Sequence, residues 1–456
     1  RGRRISINCD AGNEVSALLL AFMTLVCDFP EGNNYLIARF SEENVEQNNA
    51  SLDMLFYQYY KEQIKLHPYY RPEKEEISLE QSGLLTYRQG STKLLVGAER
   101  NPYTGHFHED RGQVVLQAQG ETLLPDLGTV SYGNSKSLLM DKQSYHNVAC
   151  PADLTMKPES EAGMKAAGAA AHPITEKLTI EDMANPEAKV LYHKILENGY
   201  AFGVETGMLF GESVKGTREG RLSEQCLELT DNWSFAEPHP LQVTFIAYYP
   251  WKIREDGISA GSGIMVLSAQ TGEEIRFETE EGMTDGQERN VYVLRIQTKA
   301  ALSHTIISRL TWEKKELSEK NSGAENRQIL QELLDKGGTI RIEKPGTYEI
   351  EDTVYIKGST HLILGKGVVF RRAVSSAGSF FLINRGAFTG EWDSDITIEG
   401  LHLITNGVEA RYNAAVYGLT GEISLFRVKH LRIFDFTCMD LPGLSYGLHI
   451  CTFEDI

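Results

Sequence analysis

Three short segments decide the fold of this chain: Gly105-His106-Phe107-His108-Glu109-Asp110, Leu124-Pro125-Asp126-Leu127-Gly128 and Tyr145-His146-Asn147-Val148. Together they hold three of the 12 histidines of the chain. His106 and His108 are two residues apart, so on a β-strand both side chains point to the same face. Asp126 and His146 follow at distances that leave room for a strand and a turn before each. We therefore expect a β-sheet to fold these four residues back onto one another.

The residue types in these segments favour two kinds of chemistry. Imidazole and carboxylate groups together suit a zinc ion. The same groups suit acid–base catalysis near neutral pH. A third interpretation is structural, with the histidines satisfied by hydrogen bonds inside a β-sandwich. The residues alone leave these three alternatives open.

Length and composition indicate an ordinary globular protein of two or three domains. The chain has 456 residues, of which 41% are hydrophobic and 24% are charged. Its formal net charge of -18 argues against nucleic-acid binding, because a protein that binds a polyanion through its overall field is basic. An acidic sugar polymer remains a possible substrate if a local basic pocket binds it.

Cysteine usage and hydropathy exclude several other classes. The six cysteines are scattered without a Cys-x-x-Cys pair, which favours free structural thiols over a disulfide framework or a cysteine metal site. The apolar run at residues 15–27 is too short to span a membrane, and we interpret it as an amphipathic or buried helix. The chain begins at Arg1, and Ile456 ends a strand-like pattern. We expect a fragment at both ends.

From about residue 82 to residue 313 the sequence is typical of an antiparallel β-sandwich. Short β-rich runs alternate with turns, which is the pattern of such a fold. The runs lie at residues 83–87, 93–96, 113–116, 122–124, 241–246, 291–296 and 305–307. Before them, residues 15–27 and 43–65 are predicted as helices, and the charged residues 72–80 as a linker.

A second β-rich rhythm follows a polar linker at residues 313–325. One helix is predicted at about Glu325–Leu334, and then short strands of period two recur between glycines, as in the coils of a parallel β-helix. The segment from Asp395 to Ile404 is echoed by the segment from Lys429 to Phe436. The other predicted strands lie at residues 339–342, 347–350, 353–356, 361–364 and 368–370.

The histidine-bearing region resembles the β-sandwich of the heparinase II/III-like polysaccharide lyases. That family carries a His-x-His-x-Asp strand, then an apolar strand ending in Asp-x-Gly, then a short His-Asn segment. Here the matching residues begin at His106, at Leu123 and at His146, in the same order and with similar spacing. The resemblance covers about residues 83–313, and the helical start resembles the end of the α/α toroid that precedes this sandwich.

The resemblance implies roles for individual residues. His108, Asp126 and His146 fall on the positions that hold a structural zinc ion in members that bind one. His106 falls on the position that reaches the substrate and is the candidate for neutralising the uronate carboxylate or for proton transfer. In the family the catalytic tyrosine lies on the toroid, of which only the tail is expected here. Tyr132 is a second catalytic candidate by its place just after the Asp-x-Gly segment, with core packing as the alternative. Arg100, Tyr103 and Arg111 are candidates for binding the acidic polysaccharide, since arginine binds carboxylates in bidentate fashion.

Residues from about 326 to 456 resemble the start of a pectate-lyase-superfamily right-handed β-helix. The motif Gly337-Gly338-Thr339-Ile340-Arg341-Ile342, with Gly346-Thr347-Tyr348 after Pro345, carries this resemblance. The predicted organisation is thus mainly β. It consists of a toroid remnant at residues 1–78, a sandwich at 79–313, a linker at 314–325 and a partial β-helix at 326–456.

The expected function is β-elimination in a uronic-acid-containing polysaccharide of the glycosaminoglycan or alginate type. One alternative is a carbohydrate-binding protein or fragment without turnover. Another is a β-helix glycoside hydrolase or epimerase that acts on uronates, because a β-helix does not by itself select a reaction. The resemblance implies a periplasmic or secreted protein, with no nucleic-acid partner and no membrane span.

Overall fold

The computed structural model describes residues 74–80, 83–98, 108–119, 121–128, 137–140, 142–154, 188–254, 257–260, 265–286, 288–313, 315–376, 380–408, 416, 421–443 and 445–456. These residues belong to two compact units, residues 74–313 and residues 315–456. The helices predicted at residues 15–27 and 43–65 lie outside the described residues.

The first unit is built from antiparallel strands with little helix. Its elements are β1 (Lys74–Leu79), β2 (Leu84–Gln89), β3 (Thr92–Gly97), β4 (Gln113–Ala118), β5 (Glu121–Leu124), α1 (Ser137–Met140), β6 (Ala149–Pro151), β7 (Lys189–Leu196), β8 (Gly199–Glu205), β9 (Lys215–Ser223), β10 (Cys226–His239), β11 (Leu241–Ala247), β12 (Trp251–Arg254), β13 (Gly257–Ala260), β14 (Met265–Gln270), β15 (Ile275–Thr284), β16 (Asn290–Thr298) and β17 (Ala301–Trp312). Short 3-10 turns lie at Gln143–Tyr145 and Gly207–Phe210.

Three sheets form this unit and share one hydrophobic core. Their strand orders are β1-β2-β3-β4-β5, β12-β13-β14-β17-β10-β9-β8-β7 and β15-β16-β11-β6. Strand β10 shows why the sequence packs this way: Leu227, Leu229 and Trp233 are buried at alternate positions, while the residues between them are less buried. The core contains side chains from all three sheets, among them Leu116, Leu229 and Phe245. This confirms the predicted antiparallel architecture.

The second unit is built from short parallel strands. Its elements are α2 (Gly323–Lys336), β18 (Gly338–Ile342), β19 (Gly346–Ile350), β20 (Val354–Ile356), β21 (Thr360–Leu364), β22 (Val368–Arg372), β23 (Leu382–Asn384), α3 (Gly386–Thr389), β24 (Asp393–Ser394), β25 (Thr397–Glu399), β26 (His402–Ile404), β27 (Gly421–Lys429), β28 (Arg432–Phe434), β29 (Thr437–Met439) and β30 (Tyr446–Glu454).

Successive coils of this unit stack their strands into three parallel sheets. The orders are β18-β21-β25-β28, β19-β22-β26-β29 and β20-β23-β27-β24, with β30 also paired to β27. The register places Ile340, Leu362, Ile398 and Ile433 in one row, so each coil lays an aliphatic side chain on the next. The echo between residues 395–404 and 429–436 includes the pairing of β25 with β28, and β26 pairs in the same way with β29, which follows directly. The predicted parallel coils are therefore present.

Helix α2 begins at a capping box, which explains its sharp start. The Ser322 side chain accepts a hydrogen bond from the Glu325 backbone N–H, and the Glu325 carboxylate accepts one from the Ser322 backbone N–H. Leu330 and Leu334 are buried in the core of the coils. The helix predicted at residues 325–334 is thus confirmed, with one further turn divided between its ends.

One stretch differs from its sequence-based expectation. Residues 72–80 were expected to be a charged linker, and the helical remnant was expected to extend to residue 78. Residues 74–79 are instead strand β1, which pairs along its whole length with β2. Among the described residues there is no helix long and apolar enough to cross a membrane.

Candidate functional site

His146 and Asp126 form a buried pair, although 20 residues separate them. Asp126 lies just after β5, and His146 lies between a 3-10 turn and β6. The His146 Nδ1 atom is 3.1 Å from Asp126 Oδ1, and both side chains are completely buried. The second carboxylate oxygen of Asp126 accepts a hydrogen bond of 3.1 Å from the Gly128 backbone N–H. Asp126 therefore fixes the orientation of the His146 imidazole ring.

Asn147 holds the segments that carry this pair. Its side-chain amide donates to the Pro125 carbonyl at 2.7 Å, one residue before Asp126. Its side-chain oxygen accepts from the Ile246 backbone N–H of β11 at 2.8 Å. A single buried amide thus joins three segments of the first unit, which explains why Asn follows His in the motif.

His108 lies beside the pair. It is 1% exposed, and its ring centroid is 5.3 Å from that of His146. The next residue, Glu109, accepts hydrogen bonds from Lys142 Nζ at 2.8 Å and from the Gln143 backbone N–H at 3.2 Å. The loop of His108 is therefore bound directly to the loop that leads into His146. The three residues of the predicted zinc set lie in one place.

The other predicted site residues are only partly described. His106, Tyr132, Arg100 and Tyr103 lie outside the described residues. Arg111 is 6% exposed, and its guanidinium donates to the His108 carbonyl and lies 3.6 Å from Asp110. These contacts hold Arg111 against the loop that carries His108. Substrate binding by Arg111 stays a prediction.

The electrostatics of the pair favour a protonated imidazole. Burial alone lowers the pKa of His146, but the hydrogen bond and charge of Asp126, with the charge of Asp110, outweigh it and raise the pKa. The Met140 carbonyl close to the ring acts in the same direction. The Nε2 atom of His146 is buried and makes no standard hydrogen bond within the described part of the chain.

The three side chains are of types that bind zinc, but the structure does not arrange them in the geometry of a zinc site. Two histidines and an aspartate are a common zinc donor set. In the structure Asp126 hydrogen-bonds to His146. In many metal sites a carboxylate that is not itself a ligand orients a ligating histidine by such a hydrogen bond. Within the described ranges, no group of three or more His, Cys, Asp or Glu side chains meets the geometry of a metal site.

A polar cluster next to Asp126 was not foreseen from the sequence. Tyr248 donates to Asp285 Oδ2 at 3.0 Å, and the Arg289 guanidinium lies 4.1 Å above the Tyr248 ring. The Gly286 backbone N–H donates to the Leu127 carbonyl at 2.9 Å, which joins this cluster to the Asp126 segment. Burial and the charge of Asp285 raise the pKa of Tyr248. Because Tyr248 follows β11 and Asp285 follows β15, 37 residues further along the chain, no local motif indicates that they meet.

Comparison with known proteins assigns the family. The model of the family described as "Heparinase II/III-like, C-terminal" matches residues 71–376, which is more than half of the chain. No curated protein matched the chain.

Three of the solved structures that match the chain are the following. "Crystal Structure of Heparinase III" has a TM-score of 0.47 and 13% identity, with 69% of this chain and 46% of that chain covered. The heparinase III BT4657 gene product has a TM-score of 0.45 and 13% identity, with 70% and 46% covered. Heparan sulfate lyase HepC from Pedobacter heparinus has a TM-score of 0.39 and 14% identity, with 67% and 48% covered. The chain spans about half the length of these proteins. By the match over residues 71–376, this chain belongs to the heparinase II/III-like family.

Proposed function

We propose that this protein is a polysaccharide lyase that cleaves a uronic-acid-containing polysaccharide by β-elimination. The observation that carries the proposal is the convergence of His108, Asp126 and His146 within a domain of the heparinase II/III-like family. The substrate class is an acidic polysaccharide of the glycosaminoglycan or alginate type. The family also suggests a periplasmic or secreted location.

The reaction requires three catalytic functions. A base removes the C5 proton of the uronic acid, a hydrogen-bonding or positive group stabilises the enolate-like carboxylate, and an acid protonates the leaving glycosidic oxygen. The C5 proton is only weakly acidic, so neutralising the adjacent carboxylate lowers much of the barrier. His106 is the proposed residue for neutralisation or proton transfer, and Tyr132 is the proposed second catalytic residue. Arg100, Tyr103 and Arg111 are the proposed substrate contacts.

We further propose that His108, Asp126 and His146 hold a structural zinc ion. When bound, the metal would replace the hydrogen bond between Asp126 and His146 as the link among the three side chains. No catalytic step depends on it. In a protein without the metal, His146 is the residue that we propose shares proton transfer, because Asp126 orients its ring.

The zinc proposal is tested by metal analysis of the purified protein and of His108→Ala. We expect about one zinc per chain in the wild type, and in the variant loss of zinc with a melting temperature lower by several degrees. His239→Ala is the matched control, since His239 is a half-buried histidine of the same unit whose ring meets Asp153. Zinc absent from the wild type, or retained in His108→Ala, would contradict the assignment.

Product analysis separates the lyase from its two rivals. The full-length protein is incubated with heparan sulfate, chondroitin sulfate and alginate, and the absorbance of unsaturated uronate is recorded. We expect this product from at least one polymer. A new reducing end without a double bond would instead indicate a hydrolase on the parallel coils. Saturable binding without any product would indicate a carbohydrate-binding protein without turnover.

A further inference from the structure

Arg218 on β9 is one of the most completely buried charged residues of the first unit. It is 2% exposed and faces Asp231, its register partner on β10. Nε donates to Asp231 Oδ1 at 2.7 Å and Nη2 donates to Asp231 Oδ2 at 3.0 Å. This bidentate pairing fixes the plane of the guanidinium.

The third nitrogen of Arg218 binds two loops of the candidate site. Nη1 donates to the Gly112 carbonyl at 3.0 Å and to the Asn147 carbonyl at 2.7 Å. Gly112 ends the loop that carries His108, and Asn147 follows His146 directly. The two carbonyls come from segments 35 residues apart that approach each other at this one guanidinium.

The same loops meet each other at the Asn147 carbonyl. This oxygen also accepts a hydrogen bond of 3.3 Å from the Val114 backbone N–H of β4. One carbonyl is thus shared between the arginine and the strand that follows the His108 loop. Arg218 therefore binds at the place where the two loops that carry His108 and His146 approach each other.

Stability alone is a poor explanation for an arginine at this position. Burying a guanidinium and a carboxylate carries a large desolvation cost, and well-packed apolar residues of similar size often stabilise a core equally well. Apolar residues would leave the Gly112 and Asn147 carbonyls without a common donor. The bound arginine therefore supplies what a hydrophobic pair does not, which is a fixed spacing between two backbone segments.

We propose that Arg218, held by Asp231, is a positioning residue that sets the separation of the loops bearing His108 and His146. Its effect on turnover rests on the proposed lyase function. Its effect on the two loops does not, and the experiment measures both.

The first measurement is amide hydrogen exchange of Arg218→Lys and Arg218→Met. Lysine keeps the positive charge beside Asp231 but lacks the planar fork, so it cannot serve Asp231 and both carbonyls together. We expect exchange within residues 108–119 and 142–154 to rise about tenfold or more, with β13 and β14 at the far end of the eight-stranded sheet unchanged. Arg372→Lys is the matched control, because Arg372 forms a similarly buried pair with Glu422 in the other unit.

Two results would overturn the proposal. Unchanged exchange in both loops would show that Arg218 does not hold them. An equal rise in every strand of the unit would show that Arg218 supports the whole domain and not the loops in particular. Arg218→Lys keeps these outcomes measurable if Arg218→Met does not fold.

The second measurement is turnover of the same variants on a polymer that the wild type cleaves. Misplaced loops predict a fall in kcat of about 100-fold with KM changed by less than about threefold. A rise in KM at unchanged kcat would contradict positioning. If the wild type cleaves no uronate polymer, the proposed function fails, and the exchange measurement alone decides the role of Arg218.

Discussion

At His146 a buried imidazole ring meets a buried carboxylate with no water-exposed edge on either side chain. An isolated charge in such a place would be strongly unfavourable, so each group depends on the other. The raised pKa of His146 expresses this dependence, since Asp126 favours the protonated ring more than burial disfavours it. Removal of the negative charge at Asp126 therefore tests how strongly His146 and Asp126 depend on each other.

Asp126→Asn is expected to lower the free energy of unfolding by about 1–3 kcal/mol, because it keeps the shape of the side chain but loses the charge that His146 faces. Urea unfolding of the wild type and the variant measures the difference. Asp153→Asn is the control, since Asp153 forms an exposed pair with His239 and is expected to contribute less than about 1 kcal/mol. Equal losses in the two variants would refute the special status of the buried pair.

The sequence reveals some residues of the site and hides others. His108, Asp126 and His146 could be predicted because their spacing and order form a motif, and the structure brings all three together. Tyr248, Asp285 and Arg218 could not be predicted, because their partners lie in distant parts of the sequence and no motif spacing relates them. The buried position of Arg111 was also not predictable. The sequence does not show whether an arginine beside a motif faces solvent or a backbone carbonyl.

Among the elements, β1 and β7 each lie at the end of a different sheet, and one histidine joins them. His193 on β7 approaches Glu76 through Nδ1 at 2.6 Å and Glu80 through Nε2 at 2.8 Å. Ser78 and Tyr200 also lie at this contact, with Tyr200 donating to Glu76 at 2.7 Å. Both ring nitrogens face carboxylates, and a ring that donates from both nitrogens is protonated.

This contact predicts a pH dependence of stability. The hydrogen bond to Glu80, together with the contact with Glu76, outweighs the effect of burial and raises the pKa of His193 above 6.5. The protonated ring is thus favoured in the folded state. The stabilisation is fully present below about pH 6.5 and is lost as the pH rises through the raised pKa.

Urea unfolding across this pH range tests the prediction. The wild type is expected to lose stability as the pH rises, and His193→Gln, which cannot be protonated, is expected to lose this component. His361→Gln is the control, because His361 pairs with Glu399 in the other unit. An identical pH profile for the wild type and His193→Gln would rule out the contact as its source.

Strand β1 has the sequence of a linker although it belongs to a sheet. Lys74, Glu75 and Glu76 give the segment the composition of a solvated connection. In the structure Glu76 is bound by partners more than 110 residues away, and charged residues are common on strands that end a sheet. The coil strands were predictable for the opposite reason, since aliphatic residues such as Ile340, Leu362 and Ile398 recur with period two and stack in register.

At the scale of the whole molecule, the family match does not end at the boundary between the two units. It extends from residue 71 through the sandwich to residue 376, and so includes α2 and the first coil strands through β22. The motifs that carry the resemblance in the sequence lie within residues 83–313, and the coils resemble a different superfamily. The first coils are therefore part of the region that the family describes, although their strands are parallel and those of the sandwich are antiparallel.

The overall charge also bears on function at this scale. A net charge of -18 opposes long-range attraction of an acidic polymer. Binding of such a substrate must then depend on local cations, and Arg289, whose side chain is 43% exposed beside the Asp126 segment, is one that the structure describes.

We propose β-elimination at the site that contains His106, His108, Asp126 and His146. Comparing the turnover of His106→Ala with that of the wild type tests this proposal. The full-length proteins are assayed for unsaturated uronate on heparan sulfate, chondroitin sulfate and alginate, with His361→Ala as a control in the other unit. We predict product from the wild type and His361→Ala on at least one polymer, and a rate lower by about 100-fold or more in His106→Ala. Absence of unsaturated product from the wild type on every uronate polymer, or equal rates in His106→Ala and the wild type, would contradict it.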